Sequence, residues 1–272
     1  MRGVLLLEIE MKKITGLLIL FFAVSAPCQN KGVLLEDLTW NEAEKALTPE
    51  TVVVIPIGAA AKEHGPHLKL KTDWILADYV KTRLRAQANV VIAPTVAYHY
   101  YPAFVEYPGS TTLRLETARD LMVDICRSLA RFGPRRFYAL NMGISTLRAL
   151  KPAAKTLAAE GILLRYTDLS ELLDPIEKNV CTQEGGSHAD EGETSMILYI
   201  DPSAVDMTKA VKDYNPDKGR LTRDPKANAT YSPTGIWGDP TLATREKGQK
   251  LVEGLISGVL KEIDALRIEI VK

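Results

Sequence analysis

From residue 38 onward, short apolar runs alternate with amphipathic segments, and no other feature limits the possible folds of this chain as strongly. Val52 to Ile57 is a run of strand length that stops at Gly58. Asp73 to Leu84 reads as a helix with Ile75, Leu76, Tyr79, Val80 and Leu84 on one face. Val90 to Pro94 is a second strand-like run. Glu116 to Phe132 is a helix striped by Ala118, Leu121, Met122, Ile125 and Leu129 and halted by Gly133-Pro134. Phe137 to Leu140 and Ile162 to Tyr166 are the third and fourth strands, with a helix from Thr146 to Ala159 between them. Leu251, Leu255, Val259 and Ile263 stripe a last helix. Strands that are apolar throughout bury both faces, so the pattern predicts an α/β fold of parallel strands covered by helices on either side. Residues 208 to 240 depart from it with Asn215-Pro216-Asp217, Asp224-Pro225, Ser232-Pro233 and Gly238-Asp239-Pro240, an extended, turn-rich arm. No shift in composition divides the rest, so residues 29–272 are expected to form one domain.

The amino terminus reads as an address. Lys12 and Lys13 precede an apolar stretch from Ile14 to Val24, and Val24-Ser25-Ala26 offers a small-residue cleavage site. About 11 apolar residues fall short of the ~20 a membrane-spanning helix needs. Residues 1–28 are therefore expected to be a cleaved secretion signal, with Met11 the native start, which would export the domain. A buried first helix is the alternative. Three cysteines (Cys28, Cys126, Cys181) build neither a disulfide framework nor a zinc knuckle, and Cys126 falls on an apolar helix face. Lys+Arg and Asp+Glu are equal at 34 each, which excludes the basic surplus that nucleic acids and anionic membranes demand. A small-molecule substrate is the expected partner.

Only four histidines occur, so their placement carries information. His64 and His67 lie in Lys62-Glu63-His64-Gly65-Pro66-His67-Leu68, directly after the first strand, where open parallel sheets bind ligands. With Asp73 close behind, this loop offers imidazole and carboxylate groups, a set that suits Zn, Mn or Fe. The bland reading is two histidines in turns. His188 through Glu193 is acidic, glycine-rich and runs into an apolar helix. Helix capping by Ser187 or Asp190 explains one of its acids, though not three acids and a histidine.

Taken together, these blocks resemble the creatininase (creatinine amidohydrolase) family. Pro56-Ile57-Gly58, His64-Gly65-Pro66-His67-Leu68 with Asp73, Tyr107-Pro108-Gly109-Ser110-Thr111, Gly133-Pro134-Arg135-Arg136, His188 through Glu193-Thr194-Ser195, and Ala243-Thr244-Arg245-Glu246-Lys247-Gly248 appear in family order. The resemblance implies a three-layer α/β/α fold with a mainly parallel central sheet. It also implies hydrolysis of small or cyclic amides, a divalent metal site and a homo-oligomer, often a hexamer.

Two family ligands are missing. Lys62 stands where the family has Glu, with Glu63 moved into the spacer, and Asn141-Met142-Gly143 stands where the family has Asn-Gly-His. In two-metal members both belong to one ion, while the other ion's ligands match His64, Asp73 and Glu193. The expectation is therefore one divalent ion per chain on His64, Asp73 and Glu193, with the Lys62 ammonium replacing the other ion and offsetting Asp73 and Glu193. His188, Lys62 and Glu63 are expected to act on the substrate, with His188 carrying the proton to the leaving nitrogen. His99, which replaces a family Gly, is either a substitute ligand, a substrate contact or an aromatic-packed loop histidine. Tyr98, Ser145 and Trp237 complete the expected substrate contacts. Creatinine itself is not the expected substrate, since the ligand set differs. Two other readings stay open: a non-catalytic member that binds a ligand in the old pocket, and a serine hydrolase built on Gly143-Ile144-Ser145-Thr146-Leu147, which lacks the elbow's final Gly.

Overall fold

Six consecutive residues, Val52–Ile57, form the middle strand of the molecule, and all six are buried. This placement comes from a computed structural model that describes residues 31–216 and 220–271. In chain order the elements are β1 (Val33–Leu34), α1 (Trp40–Ala46), β2 (Val52–Ile57), α2 (Thr72–Gln87), β3 (Val91–Ile92), α3 (Leu115–Ala130) and β4 (Arg136–Asn141). There follow α4 (Leu147–Ala158), β5 (Leu163–Tyr166), α5 (Leu169–Val180), α6 (Glu191–Ile200), the short β6 (Leu221–Thr222) and β7 (Thr230–Tyr231), and α7 (Arg245–Ile268). Strands β1 to β5 make one sheet in the order β1-β3-β2-β4-β5, every neighbouring pair parallel.

Side chains alternate across a strand, so each strand feeds two cores. Val52, Val54, Tyr138 and Leu140 face a layer carrying Leu76 and Val80 of α2 and Leu255 and Val259 of α7. Val53, Ile55, Phe137 and Ala139 face Met122 and Cys126 of α3 and Leu150 and Leu157 of α4. The result is the expected three-layer α/β/α sandwich. Cys126 is fully buried, as its place on an apolar face implies, and burial pushes its thiol up to about 12.

Two elements differ from the sequence reading. The run Val90 to Pro94 pairs only at Val91–Ile92. Pro94 and Pro56 both lack an N–H, so the β2–β3 ladder is interrupted and resumes as a bridge between Ile57 and Val96. Residues 166 to 190, where the sequence reading places no helix, contain α5. Its Leu172 and Ile176 side chains lie against Gly258 and Gly254 of α7, where an added Cβ would collide with them.

The arm is extended as expected: β6 and β7 pair with each other, and isolated bridges tie Asp213 to Gly238 and His188 to Trp237. The proposed leader, residues 1–28 with Cys28, lies outside the described residues. Among the described residues no helix is long and apolar enough to cross a membrane.

Candidate active site

A parallel sheet delivers all its loops to one edge, and the chemistry gathers there. Leaving β2, the chain passes Gly58, where a Cβ would stand 2.8 Å from Ala77 Cβ and 2.9 Å from the Asp73 carbonyl carbon. Only glycine lets α2 start this close to the strand end, and that approach places Asp73, in the first turn, beside the intervening loop. Lys62 is buried with its Nζ 2.8 Å from Asp73 Oδ2 and 4.9 Å from the Phe104 ring centre. The other oxygen of Asp73, Oδ1, lies 2.8 Å from His64 Nε2. His67 turns elsewhere, its Nε2 bonding Thr194 Oγ1 at 2.8 Å. Burial draws His67 down to about 4.

The opposing side is the amino end of α6. Asp190 is its N-cap, accepting from Glu193 N at 2.9 Å, and Glu193 reaches back to accept from Ala189 N at 2.6 Å. Ala189 has φ 49°, the one left-handed residue other than glycine among the described residues. That strained turn redirects the chain between His188 and the cap. Backbone pairing with Trp237 secures His188 (Trp237 N donates to His188 O at 2.9 Å), and its Nε2 meets Glu63 Oε2 at 3.1 Å. Phe104 covers the imidazole, ring centres 4.2 Å apart. Gly235, at φ 82°, lies against the Glu63 carboxylate, so a side chain there would displace Glu63.

The two sides converge. Ligand atoms of His64, His188 and Glu193 lie within 4.8 Å of one another. Asp73 joins through His64, whose Nε2 stands 2.8 Å from Asp73 Oδ1 and 3.6 Å from Glu193 Oε1. His64 Nδ1 bonds the Lys62 carbonyl at 2.9 Å. A carbonyl only accepts, so Nδ1 carries a proton, and Nε2 faces the two carboxylates either as a second N–H donor or as a lone pair open to a cation. Three acceptors so arranged repel unless a second ring proton or a cation lies among them, and this donor set fits a divalent cation. Burial alone would draw Lys62 down, but Asp73, Glu193 and Glu63 outweigh it and hold the ammonium above its ordinary range. Burial likewise opposes ionisation of Asp73 and Glu193, yet Lys62 and His64 hold Asp73 well below the usual carboxylate range, and His64, His188 and Lys62 lower Glu193. Asp190 is pushed up to about 6, chiefly by burial, which outweighs its hydrogen bonds from Glu193 N and Gln183 and the neighbouring His188.

A cavity of about 300 Å³ opens onto this cluster, with His188, Glu193, Lys62 and Phe104 in its wall. Of the expected substrate contacts, Ser145 and Trp237 line it. Tyr98 and His99 do not. Tyr98 is 54% exposed. His99 is fully buried beside Tyr101, ring centres 6.5 Å apart, with neither ring nitrogen in a hydrogen bond of normal geometry. The aromatic-packed alternative describes it: burial, partly offset by the backbone of Ala118, draws it down to about 4. The serine-hydrolase reading finds no base, since Ser145 Oγ donates to the Tyr100 carbonyl at 2.9 Å. Nor does Thr146, at the N-cap of α4, cap with its side chain; its Oγ1 donates to Asn141 Oδ1 at 2.6 Å. Sequence reasoning missed Phe104 and Arg148, both in the cavity wall. Phe104 sits in a loop whose irregular pattern gave no period to read.

Comparison with known proteins points one way. The sequence pattern of the creatininase family, described as creatinine amidohydrolase, matches residues 36–263. The creatinine amidohydrolase of Pseudomonas putida is 27% identical over 261 residues, covering 88% of this chain and 98% of that protein. The mycofactocin precursor peptide peptidase of Mycobacterium ulcerans is 27% identical over 223 residues, covering 78% of this chain and 84% of the relative. A solved structure described as "Creatininase Mn" superposes with a TM-score of 0.75 at 23% identity, covering 88% of this chain and 100% of that one. With the family pattern spanning most of its length, this chain belongs to the creatininase family.

Proposed function

We propose that the chain is a metal-dependent hydrolase of an amide C–N bond in a small or cyclic substrate, with one divalent ion per active site. The observation that carries this reading is the convergence of His64 Nε2 with Asp73 Oδ1 at 2.8 Å and Glu193 Oε1 at 3.6 Å, with His188 within reach. His64, Asp73 and Glu193 would hold the ion. When bound, it supplies Lewis acidity, polarising a carbonyl and making water a better nucleophile at neutral pH. The names of both relatives, an amidohydrolase and a peptidase, support hydrolysis of this bond class.

The chain's own groups supply the rest. Glu63 Oε2, 3.1 Å from His188 Nε2, orients the imidazole, so that His188 can take a proton and return it to the departing nitrogen. Phe104 keeps water from one face of that ring. Lys62 neutralises Asp73 Oδ2, the side on which a second ion would otherwise be needed, and this ion pair supports a count of one. Export through the amino-terminal leader completes the proposal.

Elemental analysis of protein purified without added metal tests the count, with about one divalent ion per chain expected. Two ions would refute the single-ion reading, and none the metalloenzyme. A screen of small amides then decides activity: ligand binding without turnover by metal-loaded protein would favour the non-catalytic alternative.

A further inference from the structure

Arg148 occupies the second residue of α4 and lines the same cavity as His188 and Glu193. Arg83 meets Glu253, Arg127 meets Glu160 and Arg220 meets Glu106, whereas Arg114, Arg131, Arg135 and Arg245 pair with no acid among the described residues but line no part of this cavity. Arg148 has no carboxylate partner among the described residues, and its neighbours on the cavity wall include apolar Ile144, Leu169 and Leu221. The other cation of the wall, Lys62, is committed to Asp73. Arg148 is thus the one uncommitted positive charge lining the cavity among the described residues.

We infer that Arg148 is a specificity residue that binds a carboxylate of the substrate, so that the compound hydrolysed is an anionic amide, its scissile bond near His188 and its carboxylate on the guanidinium. This deepens the hydrolase proposal and rests on it for the reaction, although not for the binding. A single planar fork matches a monoanionic carboxylate in geometry and charge. A phosphate dianion would keep half its charge uncompensated beside Glu193.

Binding of N-acetylglycine and of its neutral counterpart N-acetylglycinamide, measured by calorimetry on the protein as purified, tests the inference. The acid should bind about 10- to 100-fold tighter. Arg148→Ala should erase that preference without weakening binding of the amide, and Arg148→Lys should keep part of it. Equal binding of the two probes by the unmodified protein would overturn the inference. So would a preference that survives in Arg148→Ala, which would move the anion to Lys62 or the metal. A preference that Arg148→Ala abolishes, in protein that hydrolyses no amide with metal supplied, would uphold Arg148 and refute the hydrolase.

Discussion

The edge of the sheet carries two polar regions that are built in opposite ways. Where β2 and α6 meet, His64 Nε2 lies 2.8 Å from Asp73 Oδ1 and 3.6 Å from Glu193 Oε1, beside the cavity. Where β3 and β4 end, the polar groups are buried, and the Asn141 amide is fully hydrogen-bonded. Asn141 Nδ2 donates to the Gly143 and Thr167 carbonyls at 2.7 and 3.2 Å, and its Oδ1 accepts from Thr146. His99 is sealed in neutral form among aromatics. The first region opens onto the cavity with imidazole and carboxylate groups of a kind that can hold a cation, whereas Asn141 and His99 are buried and do not line it.

Four substitutions press on that contrast, from the largest expected effect downward. His64→Ala should take the protein from about one bound divalent ion to nearly none, read by elemental analysis; full retention would dissolve the distinction. His99→Phe should act only on stability. A histidine at about 4 when folded and near 6.5 when unfolded leaves the unfolded chain binding more protons between those values. Its stabilising effect is therefore complete above pH 6.5 and falls by about 3 kcal/mol as the pH drops to 4. Denaturant midpoints at both pH values should show a shallower loss in the variant, with His67 accounting for part of what persists. Asn141→Ala should lower stability by about 2 kcal/mol, because Thr146 and two carbonyls lose a buried partner, while metal content stays unchanged. Glu63→Gln should keep the metal and the fold yet slow turnover about tenfold, with the loss in kcat rather than KM. A larger effect on metal content than on rate would join Glu63 to the ion instead of to His188.

The scaffold was readable where burial leaves a pattern. Val52–Ile57 has the bounds its apolar run implies, and α3 follows its stripe within two residues. Elements too short to show a period escaped, such as β1. Helix α1 escaped although Thr39 and Glu42 form a capping box, a signal that was present and passed over. Helix α5 was hidden by Pro175 in its interior, a residue that ordinarily argues against a helix. In the site, residue types and spacing pointed to the loop of His64, His67 and Asp73 and to the block His188 through Glu193, and the family resemblance narrowed these to His64, Asp73, Glu193 and His188. What they could not show was orientation. Whether His99 points into a cavity or a core depends on which side of its loop the packing takes up, and Arg148 stands out only by its place in the cavity wall.

Trp237 has two duties: its side chain walls the cavity and its backbone holds His188. Selection for a new substrate that remodels residues 208–240 would therefore disturb His188 as well. Relatives that diverge in this arm should change reaction rate and preference together, and laboratory grafts of the arm should succeed only when the stretch around residue 188 travels with it.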